Sequence, residues 1–347
     1  MARCCLACRL HVASPKFIIM VSTILAMRKM LLLFVLYLYG TNLEEYALHE
    51  PQYINASFAN YHYEYEILTY LNPSLCTGKK LFVFIISAVS SFDRRNIIRS
   101  TWAKKEHTKD SLVVFIVGRP TTLQHEMMVK REVLLHRDVV ETTIPDNYNY
   151  TAFKVHAGYA LHVRNCFNVP FVLRADDDIM VLPDRFVHFI ESGHFGNPDK
   201  EVMFRYIPKK YYRPNRFPPY LNGPAYLMTR NSTKAILDKT NITSFFWIED
   251  ILFTGIMARH THVKLIDSKG MFAFHCDQRT EEGRHTFRSW DGAGYCLRST
   301  SACDRHGVPY ATLIYHAPAI HATSMYNAYV DLTSVTCQRR KWFIEFF

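Results

Sequence analysis

Glycine and proline are scarce in this sequence, with 13 and 15 residues respectively among 347. The chain also has no internal repeat and no low-complexity tract. Hydrophobic residues make up 49% of it and charged residues 21%. This composition excludes a collagen, a disordered tail and a small peptide, and the length is enough to bury one large core or two modest ones.

Acidic residues are absent from the first 40 positions, which carry five basic ones: Arg3, Arg9, Lys16, Arg28 and Lys29. Over the whole chain, 41 lysines and arginines against 31 acids give a net charge of +10. Without the five, the remaining residues carry only +5. That excess is ordinary for a soluble domain that binds a small anion, so we expect no nucleic-acid partner.

Residues 17–40 form an apolar stretch with the length of a membrane span. Basic residues precede it and acids follow it, which predicts a single-pass type II signal-anchor with residues 1–16 in the cytosol. Arg28 and Lys29 interrupt the stretch, at a cost of about 2.5–3.5 kcal/mol each at a helix centre. Three alternatives stay open: a shorter span from Met30, a cleaved signal sequence beginning at Met27, and a peripheral or core helix.

No C-x2-C spacing occurs after residue 40, which argues against zinc as the role of the six cysteines there. The even number favours disulfides in the secretory lumen. Four N-x-S/T sequons, at Asn55, Asn149, Asn231 and Asn241, agree with that compartment. The six cysteines are Cys76, Cys166, Cys276, Cys296, Cys303 and Cys337.

The organisation of the chain changes at residue 80. Residues 41–79 show no strong period and are interpreted as a stem, and residues 80–347 as the catalytic domain. Apolar runs at 81–89, 112–118 and 170–175 predict buried strands, and helical segments are predicted around 94–102, 123–135 and 153–164. This alternation predicts an α/β fold with a mostly parallel sheet and helices on both faces.

Three consecutive aspartates, Asp176, Asp177 and Asp178, follow the third strand. In such sheets ligands bind beyond the carboxyl ends of the strands. If strand geometry continues, Asp176 and Asp178 point the same way and Asp177 points the opposite way. Two carboxylates suit a divalent cation such as Mn2+ that also binds phosphate oxygens. The alternative is an acidic helix start.

Two further segments carry charged residues. In SSFDRRNIIRSTW, Arg95 and Arg99 share one helix face and are candidates for binding a diphosphate, unless they form a solvated basic face. In FFWIEDILFTG, Glu249 and Asp250 lie within an apolar run. A carboxylate in such surroundings has its pKa raised and acts as a general base, whereas the alternative is a favourable helix N-terminus.

Together these segments resemble glycosyltransferase family 31, the group of β-1,3-galactosyltransferases and β-1,3-N-acetylglucosaminyltransferases. The resemblance runs from about Leu81 to His316. It rests on five motifs in the family's order: RRNIIRSTW, DNYNYTAFK with Cys166 twelve residues after Lys154, VLRADDDIMV, FPPYLNGPAY and WIEDILFTG.

The resemblance implies a GT-A type fold and inverting transfer of a hexose, with galactose expected, from a UDP-sugar to a sugar hydroxyl of a glycoprotein or glycolipid, forming a β-1,3 linkage. The implied location is the Golgi membrane. On the matching positions, Asp176 and Asp178 bind Mn2+ on the diphosphate. The nucleotide sugar contacts Asp177, Arg95, Arg99 and Lys154 in this assignment. Asp250 is the base, with Glu249 beside it.

The family's late histidine matches His316 in LIYHAP, which is expected to be a further metal ligand, with His275 as the second choice and a surface or satisfied histidine as the alternative. The sequence also departs from the family. Ala225 replaces the second glycine before Tyr226, and Gly255 of the Glu-Asp motif comes one residue late. Some 30 polar residues after Asp277 resemble an insertion.

Two other functions compete with a transferase. A catalytically inactive luminal module that binds a nucleotide sugar or glycan fits the alteration in FPPYLNGPAY, the segment that resembles the family's acceptor-side loop. A metal-dependent hydrolase would use the aspartates and need no acceptor. This function gives no role to the basic helix that carries Arg95 and Arg99.

Overall fold

A computed structural model describes residues 27–30, 50–205, 217–221, 223–274, 299–315 and 322–338. The chain divides into two compact units, Met1–Glu50 and Pro51–Phe347. In the first unit, residues 27–30 are helical. No helix within the described ranges is long and apolar enough to cross a membrane. The predicted cytosolic tail and nearly all of the signal-anchor, residues 1–16 and 17–40, lie outside the described residues.

The second unit is an α/β fold. Its strands are β1 Gln52–Ser57, β2 His62–Ile67, β3 Leu81–Ile86, β4 Ser111–Arg119, β5 Val139–Pro145, β6 Phe171–Asp176, β7 Met180–Val181, β8 Val202–Arg205, β9 Ala225–Thr229, β10 Lys264–Asp267, β11 Phe272–Phe274, β12 Thr300–Ser301, β13 Leu313–Tyr315 and β14 Thr336–Cys337. Its α-helices are α1 Phe92–Ser100, α2 Leu123–His136, α3 Thr151–Asn165, α4 Pro183–Glu191, α5 Arg230–Asp238, α6 Ala258–His260 and α7 Ala322–Thr333. A π-helix spans Ile251–Met257, and short 3-10 helices span Pro73–Cys76, Tyr148–Tyr150, Thr240–Ile242 and Lys269–Met271.

The central sheet has nine strands in the order β1-β2-β5-β4-β3-β6-β9-β8-β10. The four middle strands β5, β4, β3 and β6 are parallel, as predicted. The sheet as a whole is not mostly parallel. Antiparallel pairing joins β1 to β2, β2 to β5, β6 to β9 and β9 to β8, so antiparallel ladders are as many as parallel ones. The expectation of a mostly parallel sheet is therefore corrected to a mixed one.

Both faces of the middle strands are covered. All six residues of β3 are buried, although successive side chains of a strand point to opposite faces. Helix α3 packs on one face, where Gly158 comes so close to Phe84 that an added Cβ would lie 2.4 Å from its ring. Helix α4 contacts β3 and β4 as well. The helices predicted around 94–102, 123–135 and 153–164 are confirmed as α1, α2 and α3, with α1 beginning two residues earlier and ending at Ser100.

The segment interpreted as a stem is largely part of the fold. Strands β1 and β2 form an antiparallel hairpin whose second strand pairs with β5 through Ile67 and Thr142. The hairpin tip contacts the loop before the π-helix, where Ala59 N–H donates to Thr243 O at 2.9 Å. The folded unit therefore begins near Pro51 rather than at residue 80.

Two disulfides are present in the described parts of the chain, Cys76–Cys166 and Cys303–Cys337. The first joins a 3-10 helix before β3 to the end of α3, and the second holds the segment after residue 299 to β14. The prediction of disulfides is thus confirmed for four of the six cysteines. Cys276 and Cys296 lie outside the described residues.

Candidate active site

The three aspartates lie at the carboxyl end of β6, beside the end of β3. Ile86 pairs with Asp176, so the residue after β3, Ser87, lies next to the acids. Ser87 Oγ donates to Asp177 Oδ2 at 2.7 Å, and Arg94 Nη1 donates to Asp177 Oδ1 at 2.7 Å. The buried Asp177 is therefore held by the loop and the helix that follow β3.

Asp176 has a different set of partners from Asp177, as the alternation of a strand predicts. Its Oδ1 accepts from Arg174 Nη2 at 2.8 Å, and its side chain is 31% exposed. Asp178 is also partly exposed. Asp176 and Asp178 are thus more exposed than Asp177, although Asp178 Oδ1 is itself buried.

A buried arginine connects the aspartates to the Glu-Asp motif. Arg174 Nη2 lies 2.8 Å from Asp176 Oδ1 and 2.8 Å from Glu249 Oε1, and Nη1 donates to Gly223 O at 2.6 Å. The Arg174 side chain is 2% exposed. One guanidinium therefore brings together β6, the acceptor-side loop and the Glu-Asp motif, which are far apart in the sequence.

Glu249 is a buried carboxyl group with a perturbed pKa. Burial raises its pKa to about 8, and the charges of Asp250 and Asp176 act in the same direction. The Arg174 charge and a hydrogen bond from the Tyr226 hydroxyl, 3.2 Å from Oε2, act in the opposite direction. The sequence-based expectation of a shielded carboxylate with a raised pKa is confirmed for Glu249.

Asp250 is the more exposed member of the pair and lies at the start of the π-helix. Its Oδ1 accepts from the Ile251 N–H at 2.8 Å. The backbone of Gly223 lies against the carboxylate, since a Cβ there would be 3.4 Å from Asp250 Oδ2. The acceptor-side loop thus reaches the carboxylate that the sequence assigns as base.

The π-helix accounts for the late glycine of the Glu-Asp motif. A π-helix closes i to i+5 hydrogen bonds, so it accommodates one more residue per turn than an α-helix. The extra residue leaves Gly255 against the acceptor-side loop, where an added Cβ would lie 3.0 Å from Tyr220 Cβ. Thr254 Oγ1 bonds both Leu221 O and Leu221 N–H, at 3.1 and 2.8 Å. The extra residue before Gly255 is therefore compatible with close contact between the acceptor-side loop and the Glu-Asp motif.

Arg95 does not reach a nucleotide site in this structure. Its side chain is fully buried, and Nε and Nη2 donate to the two Glu132 carboxylate oxygens at 2.9 and 2.8 Å. The remaining donors bond Ser87 Oγ, Ala88 O and Val89 O. All five N–H groups of a guanidinium are then used inside the protein. The expected nucleotide contact of Arg95 is corrected to a support of the loop after β3.

Arg99 and Lys154 lie in comparable positions. Arg99 makes a two-pronged pair with Asp138 at 2.6 and 2.7 Å and donates to Glu132 at 2.6 Å. Lys154 is buried, pairs with Asp146 and donates to Ser87 O at 3.3 Å. Both side chains are thus engaged within the protein, Lys154 with Asp146 and the Ser87 carbonyl and Arg99 with Asp138 and Glu132, and their contact with a nucleotide stays a prediction.

Among the arginines of α1, Arg94 is the one that contacts the aspartates. The Asp177 hydrogen bond and the charges of Asp177, Asp178 and Asp176 raise the pKa of Arg94, against the opposing effect of burial. Its side chain is 26% exposed. The sequence analysis selected Arg95 and Arg99 because they share a helix face, but that face turns inward. Arg174 was also missed, although a cation within an apolar strand signals a buried ion pair.

The residues at the end of β6 fit a divalent cation by their chemistry. Asp176 and Asp178 offer the hard oxygen ligands that Mn2+ and Mg2+ prefer, and two protein carboxylates leave positions for phosphate oxygens. No group of three or more potential ligands is assembled among the residues for which a placement is given. The predicted further ligand His316 lies outside those residues, as does His275.

The sequence model of the Galactosyltransferase family matches residues 93–269, about half of the chain. The chain belongs to this family, which confirms the resemblance to glycosyltransferase family 31. The match covers the arginine helix, the three aspartates and the Glu-Asp motif.

Several curated proteins are similar to this chain. The lactosylceramide 1,3-N-acetyl-beta-D-glucosaminyltransferase A of Danio rerio is 26% identical over 211 residues, covering 53% of this chain and 55% of its own. The beta-1,3-galactosyltransferase bre-2 of Caenorhabditis elegans is 23% identical over 217 residues, with 55% and 60% covered. The human N-acetyllactosaminide beta-1,3-N-acetylglucosaminyltransferase 3 is 23% identical over 229 residues, with 60% and 61% covered. The chain spans little more than half the length of these relatives.

Among solved structures, the galactosyltransferase LgtC in complex with donor and acceptor sugar analogues is similar to this chain at 11% identity. The alignment covers 75% of this chain and 98% of that one, with a TM-score of 0.38. A likeness at this level supports no conclusion about the site.

Proposed function

We propose that this chain transfers a hexose from a UDP-sugar to a sugar hydroxyl with inversion, forming a β-1,3 linkage. The observation that carries the proposal is the Arg174 bridge, which joins Asp176 to Glu249 through contacts of 2.8 Å each. This bridge supports the proposal because it joins the strand end that carries the aspartates to the Glu-Asp motif. Family membership and the mixed α/β sheet support a GT-A type arrangement.

In this mechanism Asp250 takes the proton of the acceptor hydroxyl as the hydroxyl oxygen attacks the anomeric carbon. The bond from that carbon to UDP breaks on the opposite face, so an α-linked donor gives a β-linked product. A divalent cation held by Asp176 and Asp178 would neutralise the charge on the departing diphosphate. Asp177 and Arg94 fix the aspartate loop in position for the nucleotide sugar.

Glu249 has a supporting role beside Asp250. Its carboxyl group contacts Arg174 and Tyr226, and the Tyr226 hydroxyl is hydrogen-bonded to that of Tyr159 at 2.6 Å. This buried network is satisfied on several sides and holds the motif rigidly. Catalysis by a positioned base depends on such rigidity, because small displacements of the reacting groups cost large factors in rate.

Galactose is the donor sugar that we propose, and an N-acetylglucosamine donor is the competing choice. The name of the matching family and that of the Caenorhabditis relative support galactose. The zebrafish and human relatives carry the names of N-acetylglucosaminyltransferases. We further propose a Golgi membrane location with the catalytic domain in the lumen and a glycoprotein or glycolipid acceptor, supported by the apolar stretch at 17–40 and the sequons.

The full chain is tested with UDP-galactose, UDP-N-acetylglucosamine and UDP-N-acetylgalactosamine, Mn2+ and a panel of saccharide acceptors, with product linkage read by NMR. Asp250→Asn is expected to bind UDP like the wild type and to lose transfer by at least 100-fold, since general bases contribute about 10²–10⁴. Asp238→Asn, at an exposed acid of α5, is the matched control.

Two results would contradict the proposal. If folded wild-type protein transferred no sugar from any donor while binding UDP, the chain would instead be the inactive binding module. If Asp250→Asn transferred sugar at the wild-type rate, Asp250 would lose its role as base.

A further inference from the structure

Two large aromatic side chains are exposed next to the Glu-Asp motif. The relative exposure is 71% for Tyr148 and 46% for Trp247. Their rings meet edge to face with centroids 6.0 Å apart and an interplanar angle of 68°. Aromatic side chains contribute much of the energy of cores and interfaces, so a contacting pair left in solvent marks a candidate binding surface.

The backbone beneath both rings is fixed. Tyr148 begins a 3-10 turn that Asn147 caps, with its side chain accepting from the Asn149 N–H at 3.1 Å. On the other side Trp247 follows Phe245, whose ring stacks on Phe153 at 5.0 Å with an interplanar angle of 10°. Rings held on such a support lose little freedom when a ligand binds them.

The aromatic pair adjoins the candidate base. Trp247 precedes Asp250 by three residues. The pKa of the Tyr148 phenol is raised, first by partial burial and then by the negative charges of Asp250, Glu249 and Asp176. The charges of both acidic motifs therefore act on the phenol.

We propose that Tyr148 and Trp247 are the platform for the acceptor sugar, a β-linked pyranose whose apolar C–H face lies on one ring while the other ring, inclined at 68° to the first, contacts its edge. In a β-galactopyranoside such as the terminal sugar of lactose, the C–H bonds at C1, C3 and C5 are axial on one face, which is therefore apolar, and the 3-hydroxyl is equatorial at the rim of the ring. A ring stacked on the platform presents its equatorial 3-hydroxyl sideways, toward Asp250. Stacking thus selects the acceptor and the position of the new linkage, and this inference rests on the proposed function.

The test compares Trp247→Ala and Tyr148→Ala with the conservative variants Trp247→Phe and Tyr148→Phe, using lactose as acceptor. Each alanine variant is expected to raise the acceptor KM about tenfold, the scale of a lost aromatic contact. The donor KM and the kcat at saturating acceptor are expected to stay near the wild-type values. The phenylalanine variants keep a ring and are expected to retain most of the affinity. Tyr326→Ala, at a 55% exposed tyrosine of α7, is the matched control.

The proposal is overturned if the acceptor KM is unchanged in both alanine variants, or if the donor KM rises instead. Circular dichroism verifies that the variants are folded. Should one alanine variant unfold, the other and the two phenylalanine variants still decide between a platform and a structural role.

A binding experiment separates this inference from the proposed function. Saturation-transfer NMR measures lactose binding to the full chain with UDP and Mn2+, with no turnover required. Lactose bound by wild type and lost in Trp247→Ala supports the platform even if no sugar is transferred. Absence of lactose binding by wild type, or equal binding by both proteins, overturns the platform whatever the transfer assay gives.

Discussion

Arg174 determines how the two acidic motifs are placed relative to each other. Its guanidinium is buried in the middle of the sheet and bonds Asp176, Glu249 and the Gly223 carbonyl. Removal of a cation from water is costly, and it is offset here by the Asp176 carboxylate and by contacts with the Glu249 carboxyl group and the Gly223 carbonyl. Loss of one partner from such a pair leaves an uncompensated buried charge and typically costs about 3–5 kcal/mol.

The raised pKa of Glu249 gives a prediction for stability. Between its ordinary pKa of 4.5 and the folded value of about 8, the folded chain keeps a proton that the unfolded chain releases. The free energy of unfolding that this group contributes is therefore fully present below pH 4.5 and is lost as the pH rises toward 8. A difference of one between the folded and unfolded pKa corresponds to about 1.4 kcal/mol, so the loss amounts to several kcal/mol at most.

Glu249→Gln removes the titrating group and tests this directly. Denaturant unfolding is measured at pH 5, 6.5 and 8 for both proteins. The stability of the wild type relative to the variant is expected to fall steadily over this range. A difference that stays constant with pH would show that Glu249 is ionised throughout.

At the residue scale, the sequence predicted the positions of the acidic side chains more accurately than those of the basic ones. Three aspartates after an apolar strand specify their place at a strand end. The four-residue spacing of Arg95 and Arg99 specifies only that they share a helix face. Whether that face turns to solvent or inward depends on Glu132 and Asp138, which tertiary packing brings beside them.

Among the secondary-structure elements, long apolar or periodic segments were predictable and short ones were not. Strand β3 is a continuous buried run, and α3 is buried over most of its length. The β1–β2 hairpin was missed although HYEYEI alternates with period two, because its tyrosines are partly polar and its neighbours show no strong pattern. Its aromatic face is completed only by Phe153 and Phe245.

The hairpin is expected to be indispensable for folding. A variant that begins at Lys80 lacks β1 and β2, leaves the edge of β5 unpaired and uncovers the aromatic cluster around Phe153. Unpaired strand edges and exposed apolar faces promote aggregation. We expect that variant to aggregate, whereas one that begins at Pro51 elutes as a soluble species and unfolds cooperatively. Equal solubility of the two in size-exclusion chromatography would contradict this expectation.

For the molecule as a whole, local sequence pattern determines the central parallel strands of the sheet, and tertiary pairing determines the outer antiparallel strands. Alternating strands and helices require parallel neighbours, which gives β5, β4, β3 and β6. The antiparallel margins come from β1–β2 and β8–β9, which local sequence pattern does not place in the sheet. Local sequence pattern therefore predicts the class of fold and the main helices, whereas the antiparallel strands that make the sheet mixed depend on tertiary pairing.

Two buried histidines predict acid sensitivity of the whole domain. Burial lowers the pKa of His156 and of His162 to about 4, from the ordinary 6.5. As the pH falls from 6.5 to 4, the unfolded chain binds protons that the folded chain does not, so the free energy of unfolding falls. The contribution is roughly 3 kcal/mol for each histidine over the full window.

The measurement compares wild type with His156→Gln/His162→Gln by denaturant unfolding at pH 7 and pH 5. The stability of wild type relative to the double variant is expected to decline on acidification. His306→Gln, at an exposed histidine, serves as the matched control. If the difference in free energy of unfolding between wild type and the double variant were the same at both pH values, the contribution of the two buried histidines would be refuted.

The hydrogen bond from the Phe245 N–H to the Asn60 side chain joins positions 185 residues apart. During synthesis the hairpin therefore leaves the ribosome long before the segment that covers it. At about 5–20 residues per second the wait is roughly 10–40 s. Throughout that interval the aromatic side chains that Phe245 covers in the folded chain lack this partner, which favours aggregation of the nascent chain.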